Sequence, residues 1–197
     1  MHRMYIISGC NGSGKTTASY TLLPEMLECN QFVNSDEFAK SLSPFNPAEA
    51  SVTASRYMLR KIYYLLEHNA DFCVETTLAT RSLVSIINDA RSHGYDITIL
   101  YFWLNSPELA IARVRSRVAA GGHNIPEHVV RRRYYMGLNY LFNLYIPLCD
   151  RWVLADNSTS PFTVVAEGTP GSVNIKNEEK FNIIHSTAYP VRNETGE

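Results

Sequence analysis

The stretch Gly9-Cys10-Asn11-Gly12-Ser13-Gly14-Lys15-Thr16 decides the fold of this 197-residue chain. It matches G-x-x-x-x-G-K-[ST] in full, and each fixed position has a physical job. The glycines let the backbone curl so that successive N–H groups point inward at phosphate oxygens. The helix that follows adds the positive end of its dipole. Lys15 reaches the β- and γ-phosphates, and the Thr16 hydroxyl ligates Mg²⁺. With Gly at ~0.07, Lys at roughly 0.06 and Ser plus Thr at roughly 0.12, chance gives under ~1% over the whole chain. Context agrees: an apolar run, Met4-Tyr5-Ile6-Ile7-Ser8, precedes the motif, and a helical pattern from Thr16 to Leu27 follows it. Gly9, Cys10, Asn11, Gly12, Ser13, Gly14, Lys15, Thr16 and Thr17 are therefore expected to bind ATP, with Thr16 as the metal ligand.

Working outward, short β-type runs alternate with helical periods. Phe32-Val33-Asn34, Phe72-Cys73-Val74-Glu75, the apolar run from Ile97 to Leu104, and Arg151 to Asp156 read as further strands. Between them, Asn46-Pro47-Ala48-Glu49 has the capping Asn and early Pro of a helix start. Gly94 ends another helix, and Ser106-Pro107-Glu108 and Pro126-Glu127 open two more. This alternation implies an α/β fold: a central parallel five-stranded sheet with helices on both faces and a helical lid at about 113–133. Beyond Asn157 the pattern changes. Phe162 to Ala166 and Phe181 to Ile184 read as short strands of a small antiparallel C-terminal extension. Residues 1–157 are thus expected to form the core, 158–188 a β extension of the same domain, and 189–197 a flexible tail.

Composition narrows the class. Net charge is −1 with 19% charged residues, which argues against binding nucleic acid by bulk charge. Four cysteines without a CxxC pair argue against a zinc knot and point to a reducing, cytoplasmic setting. The longest apolar run, eight residues from Ile97, falls far short of the ~20 that span a bilayer. The run at Met4 to Ile7 is also too short for a signal peptide. The chain has neither the LSGGQ-like signature of ABC-type ATPases nor the base-reading N-K-x-D of GTPases. A small kinase remains.

Asp36 lies just past the second strand, where an open α/β sheet binds ligands. It is placed to accept a proton from an attacking hydroxyl, or to cap the short helix after it. Glu75 ends the third strand after three apolar residues, where an unpartnered charge is costly. It either steers Mg²⁺-bound water and acceptor hydroxyls or pairs with a nearby cation, and its strand-end position favours the first. The segment 113–133 holds Arg113, Arg115, Arg117, Arg131, Arg132 and Arg133 against Glu127 alone. Arginine's fork suits phosphate. Arg113 and Arg117 share a helical face; Arg131 to Arg133 fan out by about 100° each, so they cannot all meet one phosphate. An RNA-binding patch is the weaker reading, because aromatic interleaving stops at Tyr134-Tyr135. His123, between the arginine-bearing helices, either assists phosphate binding or lies on the surface.

Gly9 to Thr17, Asn34-Ser35-Asp36, Glu75-Thr76-Thr77, and Arg113 to Arg117 leading into Gly121-Gly122-His123-Asn124-Ile125-Pro126 resemble the short zeta-toxin-like P-loop kinases. The resemblance covers about residues 1–168. It implies an ATP- and Mg²⁺-dependent kinase acting on the 3′-hydroxyl of the amino sugar in UDP-N-acetylglucosamine, and a possible antitoxin partner. By position, Lys15 and Thr16 would hold ATP and Mg²⁺, Asp36 would be the base, and Glu75 and Thr77 would contact the acceptor. His123 stands where the long toxins carry a lid arginine, so Arg113 or Arg117 and one of Arg131 to Arg133, taken as Arg132, would supply the lid charge. A polynucleotide 5′-hydroxyl or antibiotic acceptor is the alternative within kinases; an ATP-gated regulatory module is the alternative of another class.

Overall fold

The computed structural model describes residues 2–25, 27–43, 47–122 and 124–189. In chain order its elements are β1 (His2–Ser8), α1 (Lys15–Glu25), β2 (Phe32–Val33), α2 (Ser35–Leu42), α3 (Pro47–Glu67), β3 (Phe72–Thr76), α4 (Leu83–Ser92), β4 (Tyr95–Trp103), α5 (Pro107–Ala119), α6 (Glu127–Tyr140), β5 (Arg151–Asp156), β6 (Thr163–Thr169), β7 (Ser172–Ile175) and α7 (Glu178–Ala188). A π-helical turn, Leu141–Tyr145, and a 3₁₀ turn, Ile146–Leu148, carry α6 towards β5.

Among the described residues the strands form one seven-stranded sheet in the order β2-β3-β1-β4-β5-β6-β7. The first five run parallel, and β6 and β7 are antiparallel to their neighbours. The expected five-stranded parallel sheet with an antiparallel extension is the fold observed. Both faces of β1 are buried, as crossover helices require: Met4 and Ile6 join the larger apolar cluster, and Tyr5 and Ile7 the smaller one with Leu22 of α1. All four cysteines are buried and free. Among the described residues no helix is long and apolar enough to cross a membrane.

One expected strand is a helix. Phe181 to Ile184 lies inside α7, which Asn177 caps by accepting a hydrogen bond from the Lys180 backbone at 2.9 Å. Glu178 and Glu179 fill its first turn, where the helix dipole favours acids. Phe181, Ile184 and Ala188 recur at helical spacing, with Ile184 and Ala188 fully buried. A four-residue apolar run is ambiguous, and the cap and wider period decide it. The strand beside β6 is instead Ser172–Ile175, exposed throughout. The Asn46 cap, His123 and residues 190–197 of the expected tail lie outside the described residues.

Candidate active site

The loop between β1 and α1 sits at the C-terminal end of the central strand, flanked by β3 on one side and β4 and β5 on the other. Gly14 adopts φ +86°, and a Cβ there would stand 2.5 Å from the Asn157 side-chain nitrogen, so any larger residue would both strain the backbone and collide. Lys15 is buried, and its ammonium donates to the Cys10 carbonyl at 2.8 Å. Burial pulls the Lys15 pKa down, with Glu75 and Asp36 opposing the shift. Burial pushes the neighbouring Cys10 thiol up to about 11, which keeps it inert.

The Thr16 hydroxyl donates to the Glu75 carboxylate at 2.9 Å, and Asn34 Nδ2 donates to the same carboxylate at 2.8 Å. Burial raises the Glu75 pKa, and Lys15 and Thr16 hold it back. A hydroxyl against a carboxylate is a hard-oxygen donor set, so these residues fit Mg²⁺.

Asn34 also settles what Asp36 does not do. Asn34 is the N-cap of α2, its Oδ1 accepting from the Asp36 and Glu37 backbones. Asp36 sits in the first turn with its carboxylate exposed, facing a cavity of about 420 Å³ at the mouth of the loop. Lys15, Glu75, Thr77 and Arg133 line the same cavity, whose far wall includes Met58 and Leu83.

The arginines divide. Arg133 donates to Asn11 Oδ1 at 3.0 Å, and burial lowers its pKa while the Asp36 charge across the cavity opposes that shift. Arg132, the member of the trio chosen from sequence, is exposed and is not among the cavity-lining residues. Arg131 pairs with Glu108 at 2.6 Å and Arg115 with Glu127. Arg113 lies on the opposite flank, its guanidinium forked onto the carbonyls of Asn157 and Ser158, both at 2.9 Å. Arg117, one turn further along α5, is exposed, and its charge contributes to lowering the Lys15 pKa. Thr17 is exposed on α1. Helical phase holds the signal that selects Arg133: it lies on the side of α6 that carries the buried Val130 and Gly137.

A P-loop on the middle strand of the parallel five, an acidic residue near the end of the neighbouring β3, and helices α5 and α6 beside them make up a P-loop kinase-like α/β fold. A family model described as "AAA domain" matches residues 4–134, and the chain belongs to that family. An uncharacterised protein of Haemophilus influenzae is 30% identical over 131 residues, covering 64% of this chain and 88% of the relative. Among solved structures, an AvrRxo1-ORF1:ORF2 complex with ATP superposes with a TM-score of 0.77 at 20% identity, covering 100% of this chain and 66% of the matched one. The PezAT toxin–antitoxin system of Streptococcus pneumoniae gives 0.68 at 13% identity, covering 95% and 78%. A sugar kinase from Janibacter gives 0.53 at 19% identity, covering 82% and 88%. At these identities the structural likenesses speak to the fold alone. This chain spans about two thirds of the AvrRxo1 chain it matches.

Proposed function

We propose that the chain is an ATP-dependent kinase that transfers the γ-phosphoryl group to a hydroxyl of a small molecule, a UDP-activated amino sugar such as UDP-N-acetylglucosamine. The observation that carries this reading is the convergence of Lys15, Asp36, Glu75 and Arg133 on one cavity of about 420 Å³. That size suits a small-molecule ligand. The choice of a sugar nucleotide rests on the resemblance of Asn34-Ser35-Asp36 and Glu75-Thr76-Thr77 to the zeta-toxin pattern, and the PezAT likeness adds a toxin–antitoxin system of the same fold. The same likeness supports an antitoxin partner; the proposed cytoplasmic setting follows from the four free cysteines.

In this reading Lys15 binds the β- and γ-phosphates and Asp36 accepts the hydrogen of the attacking hydroxyl. Thr77 orients the acceptor, and Arg133 offsets the charge that spreads over the transferring group. Thr16 and Glu75 would hold Mg²⁺, which when bound neutralises phosphate charge. Catalysis is then mostly positioning and electrostatics, because phosphoryl transfer asks little covalent chemistry of the protein.

The test is transfer from MgATP to UDP-N-acetylglucosamine, read by mass spectrometry as a gain of about 80 Da, one phosphoryl unit. Lys15→Ala should abolish the product. Asp36→Asn should keep ATP affinity within about twofold and lower kcat by about a hundredfold or more, the usual contribution of a positioned base. Labelling of oligonucleotide 5′ ends with no sugar-nucleotide product would overturn the acceptor class. ATP binding without transfer to any acceptor would overturn the kinase itself.

A further inference from the structure

The C-terminal extension makes a charged contact with the nucleotide side of the fold. Lys180, in the first turn of α7, donates from its ammonium to Asp156 Oδ2 at 2.7 Å. Asp156 closes β5 with its side chain only 6% exposed, while that of Lys180 is 39% exposed. The other carboxylate oxygen, Oδ1, accepts from the backbone and hydroxyl of Ser158 at 2.8 and 2.5 Å. The turn so formed touches the phosphate-binding loop directly. Asn157 Nδ2 donates to the Ser13 carbonyl at 2.7 Å and packs against Gly14. The Asn157 and Ser158 carbonyls hold the fork of Arg113. One chain of contacts therefore runs from α7 through Asp156 and the 156–158 turn to the loop and to α5.

We propose that α7 sets the affinity for ATP, with Lys180 as a positioning residue that keeps the phosphate-binding loop in its receptive shape. This inference rests on the nucleotide-binding part of the reading above, and not on the identity of the acceptor. Without Lys180 the buried Asp156 carboxylate loses its counter-charge and moves towards water, since an unpaired buried charge is costly. The turn moves with it, withdrawing the amide from Ser13 and the carbonyls from Arg113. ATP then has to reorder a loop that was already ordered, and affinity falls by the cost of lost preorganisation. The acceptor cavity lies on the β3 side of the loop and draws no residue from this network.

The experiment measures ATP binding by calorimetry in the full chain, alongside KM for ATP and for the acceptor. Lys180→Met keeps the aliphatic stem and removes the charge. It should weaken ATP binding by about tenfold, within the range expected of coupled sites, and raise KM for ATP while leaving the acceptor KM and kcat within about twofold. Lys180→Arg should restore most of the affinity, and Asp156→Asn should reproduce the loss. Wild-type ATP affinity in Lys180→Met would overturn the proposal. So would an equal loss for ATP and acceptor, the mark of general unfolding. A protein that binds ATP with this Lys180 dependence yet phosphorylates nothing would sink the kinase reading and leave this inference standing; a wild type that binds no ATP would sink both.

Discussion

Asp36 is free to face the cavity because its neighbour does the capping. Asn34 accepts from the α2 backbone with its oxygen and donates to Glu75 with its nitrogen, so one side chain ties the start of α2 to the end of β3. Asn34→Ala should cost about 1–2 kcal/mol, a lost cap plus a lost partner for the half-buried Glu75 carboxylate, measurable by urea denaturation. Sequence position alone left Asp36 with two roles, because which residue caps a short helix depends on where its first turn begins. The arginines of α6 teach the same lesson at closer range. Arg132 and Arg133 are adjacent and chemically identical, and only the phase of α6 places one at Asn11 and the other in solvent. Arg133→Ala should lower kcat by about a thousandfold, the lower end for an arginine stabilising a transferring phosphoryl group. Arg132→Ala should leave steady-state rates within about twofold of wild type. Comparable losses in both would remove Arg133 from the reaction.

At the scale of elements, α6 reaches the cavity because one residue in it has no side chain. A Cβ on Gly137 would stand 2.7 Å from the Thr77 carbonyl and 3.0 Å from the Tyr101 hydroxyl. The backbone of α6 thus rests on the end of β3, which brings Arg133, one turn earlier, over the loop. Gly137→Ala should destabilise the fold by about 1–3 kcal/mol through overpacking, outweighing the gain in helix propensity of up to about 1 kcal/mol. Thermal unfolding against wild type checks the sign, and a stabilised variant would refute the close approach. Nothing local to Tyr135-Met136-Gly137 announces this contact, since it depends on a partner sixty residues away in sequence. By contrast the phosphate-binding loop and the five parallel strands were legible, because each is written in a local motif or a continuous apolar run. α7 was legible only in part: its apolar residues repeat at helical spacing, but the short run at Phe181 to Ile184 also fits a strand until the Asn177 cap is weighed.

For the whole molecule, the buried Asp156 and the half-buried Glu75 pull stability in opposite directions as pH changes. Burial works to raise Asp156, but hydrogen bonds from Lys180 and Ser158 outweigh it and hold the carboxyl below its ordinary 3.8. The unfolded chain therefore takes up that proton first as pH falls. The Asp156 contribution is complete above the unfolded value and disappears as pH drops through the folded one. Glu75 is raised above 4.5, chiefly by burial, so its ionisation costs stability as pH rises through the folded value. Urea midpoints followed downward from about pH 4 should fall for wild type as Asp156 takes up its proton, and Asp156→Asn should show a shallower acid limb. An unchanged limb would mean that Asp156 gains nothing from its partners.

The order of the strands carries a last consequence. Everything that lines the cavity at the mouth of the loop, apart from Asn11, Lys15 and Arg133, comes from the stretch between Asn34 and Ile86. The network on the other flank of the loop comes from Asn105, Arg113, residues 156–158 and Lys180. With β1 as the partition, the chain is modular in the way that matters for retargeting. Exchanging residues 34–86 with a homologous kinase, while keeping Asn34 and Glu75 beside Thr16, is a route to a new acceptor that leaves the phosphate-binding loop and its 156–158 support in place.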